Sequence, residues 1–480
     1  MTKPLKRTLG LWAAIAMAVG IVVSSSALVS LGEGFGIGGR GFLLAMLAAV
    51  FLNLCIAFSF SELSGMIPKA GGINHYTLPA MGPFMGMISV ISGYLLVTIF
   101  AGSAEASIAG VVFTEVFAPN INPIVISLGI TILLAVVNTV GVKVFSWTQI
   151  ILTTLLIGST LTLGFIGLTG FGASGEAIEM TSDFNPTGWG VFSLTALAIW
   201  LFIGIEFVTP MAEEIKKPSK YIPIAMISAL VIILFVDIIF GFATVKYVPL
   251  ETLQGSASPH VDAANAILGK TGLAWMGIVT ILATTSTLNT MICSISRMLY
   301  GMSLEGQLPK VFSKTNRWGT PWFAIVFLSG LFVVFLLNGL TSSNSLVTFI
   351  LAGCFCWLVT YFIAHLNVVI LRFKYPELKR TFRSPLGLTF QFIGMAGILY
   401  VMFNMSPDAA MKKSIYTYSF IFLGLTVIYA SLWVKFVMKR KLFEAMTMNE
   451  VLELTTTPSE PLESAPLVTA NTQLAADEEL

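Results

Sequence analysis

The chain alternates long apolar runs with short polar connections, and each run is about the 20 residues that an α-helix needs to cross a bilayer. The runs lie at 9–31, 42–61, 84–117, 122–140, 147–169 and 189–211, then at 222–245, 272–299, 321–339, 345–371, 386–404 and 415–438. They predict an all-α polytopic membrane protein of about twelve transmembrane helices, numbered below as spans 1 to 12. Two runs are interrupted. Span 1 carries small and polar residues from Gly20 to Ser26, and span 6 carries Gly204 to Glu206. A broken helix exposes N–H and C=O groups that lipid cannot satisfy, so it persists only where protein, water or a ligand takes them up. Breaks at corresponding positions of two halves place a substrate site between them.

Charge fixes the expected orientation. With the N-terminus inside, only Arg40, Lys246, Lys270, Lys412 and Lys413 of the 26 Lys and Arg residues fall in outer segments. Basic residues near span ends are retained on the cytoplasmic side, so both termini are expected in the cytoplasm. The net charge of +2 therefore gives no pointer to nucleic acid.

A composition that is 56% hydrophobic and 10% charged excludes a soluble domain. The first run follows a basic start but is too long for a signal peptide and lacks a small-residue cleavage site, so it is read as a real span. Cys55, Cys293, Cys354 and Cys356 all fall inside spans, with no disulfide framework and no metal spacing, and read as packing residues. No cofactor is implied. Residues 455–480 are rich in Thr, Ser, Pro and Ala, lack aromatics, and predict a disordered cytoplasmic tail. The glycine-rich Gly32 to Gly39 has no strand before it, which argues against a nucleotide loop, and reads as a mobile extracellular connection.

Four stretches carry a family likeness. They are Gly20-Ile-Val-Val-Ser-Ser-Ser-Ala-Leu28 in span 1, and Glu62 to Tyr76 after span 2 with its Pro68-Lys-Ala-Gly-Gly72. The others are Trp200-Leu-Phe-Ile-Gly-Ile-Glu206 continuing to Pro223, and Ser296-Arg297 to Pro309 followed by Gly319-Thr-Pro321. Over residues 5–440 the chain resembles the amino acid, polyamine and organocation permeases, which have a LeuT-like fold. That resemblance implies a short cytoplasmic segment at 1–8, then two inverted repeats of five spans at 9–170 and 189–371. Spans 1 and 6 would be broken, and two peripheral helices would lie at 386–438.

The resemblance also distributes roles. Backbone N–H groups around Val23, Ser24, Ser25 and Ser26 would receive a substrate carboxylate, helped by the positive end of the following half-helix. Carbonyls from Trp200 through Phe202 and Ile203, freed by Gly204, would accept from a substrate amine. Trp200 falls on the family's aromatic gate, and lies too deep in its span for an interfacial anchor. Glu206 falls on an acidic position beside the glycine. An ionisable group at midplane depth costs about 2.5–3.5 kcal/mol on insertion scales and is a functional candidate by default. It is therefore the candidate coupling residue.

Glu105, inside span 3, matches no general acidic position of the family. It either faces the site, pairing with a cationic group or sharing a proton with Glu206, or bonds a neighbouring span. Asp237 and His365 are also mid-span and read as structural. Span 5 lacks the lysine of many proton-coupled relatives, its sequence being Ile151-Leu-Thr-Thr-Leu-Leu-Ile-Gly158. Coupling then runs through Glu206 and Glu105, or by exchange, or through sodium held near the hydroxyls of Thr284 to Thr287.

An intramembrane enzyme would need paired acids, a Ser/His pair or a metal-binding helix, and the three histidines His75, His260 and His365 supply none of these. Two opposed breaks also suit alternating access better than a channel. The reading is a secondary transporter of a small amino acid or related amine. It would sit in the lipid bilayer of a plasma membrane, a bacterial inner membrane in particular, coupled to protons or working by exchange. The alternatives are a sodium-coupled symporter and a substrate sensor built on the same fold.

Overall fold

The structure is a computed structural model that describes residues 7–178, 184–337 and 346–453. The tail expected at 455–480 lies outside them.

Span 1 is two helices, α1 (Leu11–Val22) and α2 (Ser25–Gly38), and span 2 is α3 (Phe42–Met66). A short re-entry follows, α4 (Ile73–Met81). Span 3 runs as α5 (Pro83–Val90), two π-helical segments (Ile91–Leu96 and Thr98–Gly102) and α6 (Ser103–Phe117). Spans 4 and 5 are α7 (Pro123–Val140) and α8 (Val142–Thr169). Span 6 enters by the 3-10 turns of Gly188–Leu194, continues as α9 (Thr195–Trp200) and leaves by Ile205–Met211.

The second half repeats the pattern with α10 (Pro218–Tyr247), α11 (Leu250–Gly255) and α12 (Pro259–Leu304), the last broken at Gly269. It closes with α13 (Trp322–Leu337), α14 (Leu346–Lys374), α15 (Thr389–Phe403) and α16 (Ala409–Leu432). A last short helix, α17, spans Met448–Glu453. Each of the twelve apolar runs is thus a helical span. Where α7, α8 and α16 face outward they expose Leu133, Val136, Trp147, Ile151, Phe420 and Ile421, a surface that only hydrocarbon would solvate well.

The glycine-rich stretch corrects the sequence reading: Gly32 to Gly38 is the end of α2, and its glycines are buried. They are contact points. A Cβ on Gly34 would meet the Phe42 ring at 2.2 Å, and one on Gly36 the Gln254 backbone nitrogen at 2.6 Å. The four cysteines are buried and unpaired, as expected of packing residues.

Ion pairs gather at the end of the bundle that carries the N-terminus. Thr8 and Leu9 N–H groups both donate to Glu214 O at 2.9 Å, and Lys216 N–H returns to Leu9 O at 3.0 Å. This ties the start of span 1 to the exit of span 6. Glu214 pairs with buried Arg297 at 3.2 Å. Glu62 of α3 accepts from Arg372 Nε at 2.8 Å and Nη2 at 2.6 Å, and from Ser384 N–H at 2.8 Å. Arg380 Nε also lies 3.2 Å from Glu62 Oε1, so loss of Arg372 leaves the buried carboxylate with one cationic partner, and Arg372→Ala should lower stability by about 1–3 kcal/mol. Thermal unfolding in detergent checks this, and Arg372→Lys, which loses the two-pronged contact, should recover only part.

Candidate functional site

The break in span 1 is short. α1 ends at Val22, Val23 and Ser24 leave helical geometry (ψ 77° and 165°), and α2 begins at Ser25. The three serines then do different work. Ser24 caps α2, its hydroxyl accepting from Ala27 N–H at 3.0 Å. Ser25 reaches two other spans: its hydroxyl donates to Glu105 Oε2 at 2.5 Å and lies 3.0 Å from Thr284 Oγ1. Ser26 accepts from the Trp200 indole N–H at 3.0 Å, which joins the two broken spans directly.

Glu105 sits across from this helix start. Its Oε2 accepts from Ser25 N–H at 3.1 Å and its Oε1 from Ser26 N–H at 2.8 Å. Glu105 thus combines features of both placements left open by the sequence: it bonds a neighbouring span, at the span 1 break, and also faces the space between the broken spans.

Span 6 breaks at Gly204, whose φ of +110° is a conformation that side chains rarely adopt. Its N–H donates to Tyr361 Oη at 2.9 Å. Two residues on, Glu206 is fully buried and accepts three hydrogen bonds. They come from Tyr361 Oη at 2.6 Å, Trp357 Nε1 at 2.9 Å and Tyr94 Oη at 3.2 Å. Glu206 therefore fastens span 6 to spans 3 and 10.

Between the two breaks is a cavity of about 20 Å³, room for roughly one water. Ser24, Glu105, Trp200 and Ile203 line it, with Trp357 and Met291. Val23, Ser25, Ser26, Phe202, Gly204 and Glu206 are buried but are not among the residues that line it. His365 lies elsewhere, its Nδ1 2.8 Å from Ser59 Oγ, and Asp237 is buried in α10 away from the lining.

Sequence reasoning missed Trp357, although the depth argument applied to Trp200 holds equally for a Trp midway along α14. It also missed Gln149. The last carbonyls of α1 lack intrahelical donors; hydroxyls of span 8 serve two of them, and neutral groups of span 5 reach the helix one turn earlier. Ser286 donates to Gly20 O at 2.9 Å, and Thr287 to Gly20 O at 3.2 Å and Ile21 O at 3.3 Å. Thr153 donates to Ala16 O at 3.0 Å. Gln149 fills the space among them, its amide nitrogen 2.8 Å from Ser286 Oγ and 3.3 Å from Ala16 O, while its oxygen accepts from Asn289 at 2.9 Å.

Comparison with known proteins agrees with this architecture. Residues 9–430 match the family described as amino acid permease. An uncharacterised transporter of Rhizobium meliloti (strain 1021) is 29% identical over 409 residues, covering 79% of this chain and 83% of the relative. A branched-chain amino acid permease of Bacillus subtilis (strain 168) is 26% identical over 413 residues, covering 80% and 84%. A solved structure of a Na⁺-coupled sialic acid symporter, substrate-bound and outward-open, superposes with a TM-score of 0.53 at 13% identity, covering 84% of this chain and 91% of that one. At that identity the likeness concerns the fold alone. The fold is LeuT-like, with two inverted sets of five spans, spans 1 and 6 broken, and two peripheral helices.

Proposed function

Because the chain belongs to the amino acid permease family, we propose that it carries a small amino acid or related amine across a bacterial inner membrane by alternating access, driven by protons or by exchange. The observation that carries this reading is the cavity between two broken spans, walled by Ser24, Glu105, Trp200 and Ile203. A substrate held there touches both halves of the fold. The cavity's small volume means that spans 1 and 6 must draw away from spans 3, 8 and 10, which complete its wall, before a substrate enters. The pairing of Leu9 with Ile215 supports their moving together. The distribution of Lys and Arg supports cytoplasmic termini.

Gln149 favours protons or exchange over sodium. The place between spans 1, 5 and 8 is filled by an uncharged NH₂ donor, and a donor hydrogen cannot ligate a cation. Glu206 is the group proposed to take up the coupling proton, since its three hydrogen bonds join the breaking span to its neighbours.

The test is uptake of labelled amino acids and amines into liposomes holding the purified protein, under a proton gradient, a sodium gradient, or unlabelled substrate trapped inside. Uptake is expected under the first or the third drive and should be indifferent to the second. Uptake under sodium alone would overturn the coupling assignment. Absence of flux under all three would turn the reading toward a sensor.

A further inference from the structure

Glu105 is a buried carboxylate for which the protein provides hydrogen-bond donors but no positive partner. It is 2% exposed, and none of the ion pairs among the described residues involves it. A carboxylate offers about four lone-pair positions. The N–H and hydroxyl of Ser25 fill both on Oε2, and Ser26 N–H fills one on Oε1. One position on Oε1 is left over, on a residue that lines the cavity.

The start of α2 gives the complementary observation. The first N–H groups of a helix have no intrahelical acceptor and, with the helix dipole, draw an anion. Here each of them is already engaged. Val23 N–H bonds Val19 O and Ser24 N–H bonds Val22 O. Ser25 and Ser26 N–H groups bond Glu105, and Ala27 N–H bonds the Ser24 hydroxyl. The anion at this helix start is the protein's own. A substrate carboxylate arriving there would find no free backbone donor, at most a serine hydroxyl, and would meet a like charge, which is penalised at close range.

An ammonium meets the opposite situation. The open lone pair of Glu105 can accept from it, and no Lys, Arg or His lines the cavity to repel it. Trp200 and Trp357 have their N–H groups engaged with Ser26 and Glu206, so what they offer the cavity is ring surface, which attracts a cation.

We infer that the substrate is an organic amine lacking a carboxylate, whose ammonium pairs with Glu105, rather than an α-amino acid. The inference rests on the transporter reading and narrows its substrate class. Glu105 is the specificity-determining residue: it holds the place at the span 1 break that an amino acid would need for its own carboxylate.

The experiment measures binding and uptake with matched pairs, each an α-amino acid and the amine left by its decarboxylation: leucine with 3-methylbutylamine, phenylalanine with phenylethylamine, lysine with cadaverine. Binding to the full-length protein in detergent is followed by calorimetry, and uptake by the liposome assay. At least one amine should bind about tenfold or more tightly than its parent acid, and Glu105→Gln should lose at least that factor for the amine. Wild-type preference for the amino acids, no binding of any amine, or amine affinity kept in both Glu105→Gln and Glu105→Asp would overturn the inference. The wild-type comparison needs no variant to fold. Amine binding without flux would remove the transporter reading and leave this inference standing, whereas flux of amino acids alone would do the reverse.

Discussion

Replacing Glu206 by Gln should cut proton-driven uptake by about 100-fold, because the exchange orphans a buried donor and removes an ionisable group in the same step. Two carboxylate oxygens now serve three donors. A carboxamide has one acceptor oxygen. If that oxygen keeps Trp357 and Tyr94, its NH₂ faces the Tyr361 hydroxyl, which already accepts from Gly204 N–H and then has nowhere to donate. The reverse orientation orphans two donors instead of one. Glu206→Ala orphans all three and should abolish uptake. Tyr94→Phe removes only the longest contact, 3.2 Å, and should cost less than about tenfold. Initial uptake rates of the three variants check the order. A Glu206→Gln protein that still responded fully to the proton gradient would remove Glu206 from the coupling path.

Gly20→Ala is the second large effect. A Cβ at Gly20 would stand 2.1 Å from Gln149 Nε2 and 2.4 Å from both Ser286 Oγ and Thr153 Oγ1. None of these side chains is free to step aside. Gln149 is held by Asn289, Ser286 is bonded to the Gly20 carbonyl itself, and Thr153 is bonded to Ala16 O. Overpacking of this kind costs about 1–3 kcal/mol in strain before any hydrogen bond is lost. The strain falls on the seam along which span 1 must slide. Uptake should drop at least about 50-fold, with a lower melting temperature in detergent. The double variant Gly20→Ala/Gln149→Ala should recover part of both, since residues in contact couple. Gly158→Ala, where a Cβ meets nothing within 4 Å, should be silent.

The parts of this structure that were legible in the sequence are those governed by the bilayer. Apolar length alone located every span, because a helix crossing hydrocarbon has no other composition open to it. The breaks at Gly20 to Ser26 and at Gly204 to Glu206 stood out for the same reason. Glycine was harder to interpret: the residues from Gly32 to Gly38 read as a flexible connection, yet they continue a helix and exist to let Phe42 and the Gln254 backbone approach. Gln149 escaped notice because attention went to charge, and a neutral amide among carbonyls gives no hydropathy signal. The direction of Glu105 was not legible at all. It depends on the angular register of span 3, which period-based reading assigns by assuming a uniform α-helix.

That register is not uniform. The π-helical segments at Ile91–Leu96 and Thr98–Gly102 each hold more residues per turn than an α-helix does, and Glu105 follows the second by three positions. A residue advances about 100° around an α-helix. Loss of a single residue within 91–102, by tightening a π turn into an α turn, would swing position 105 about a quarter of the way round and present a different side chain to the start of α2. An insertion or deletion of one codon, which ordinary substitution scoring treats as a blemish in a gapless helix, is thus the shortest evolutionary route by which a relative could gain or lose a charge at this spot.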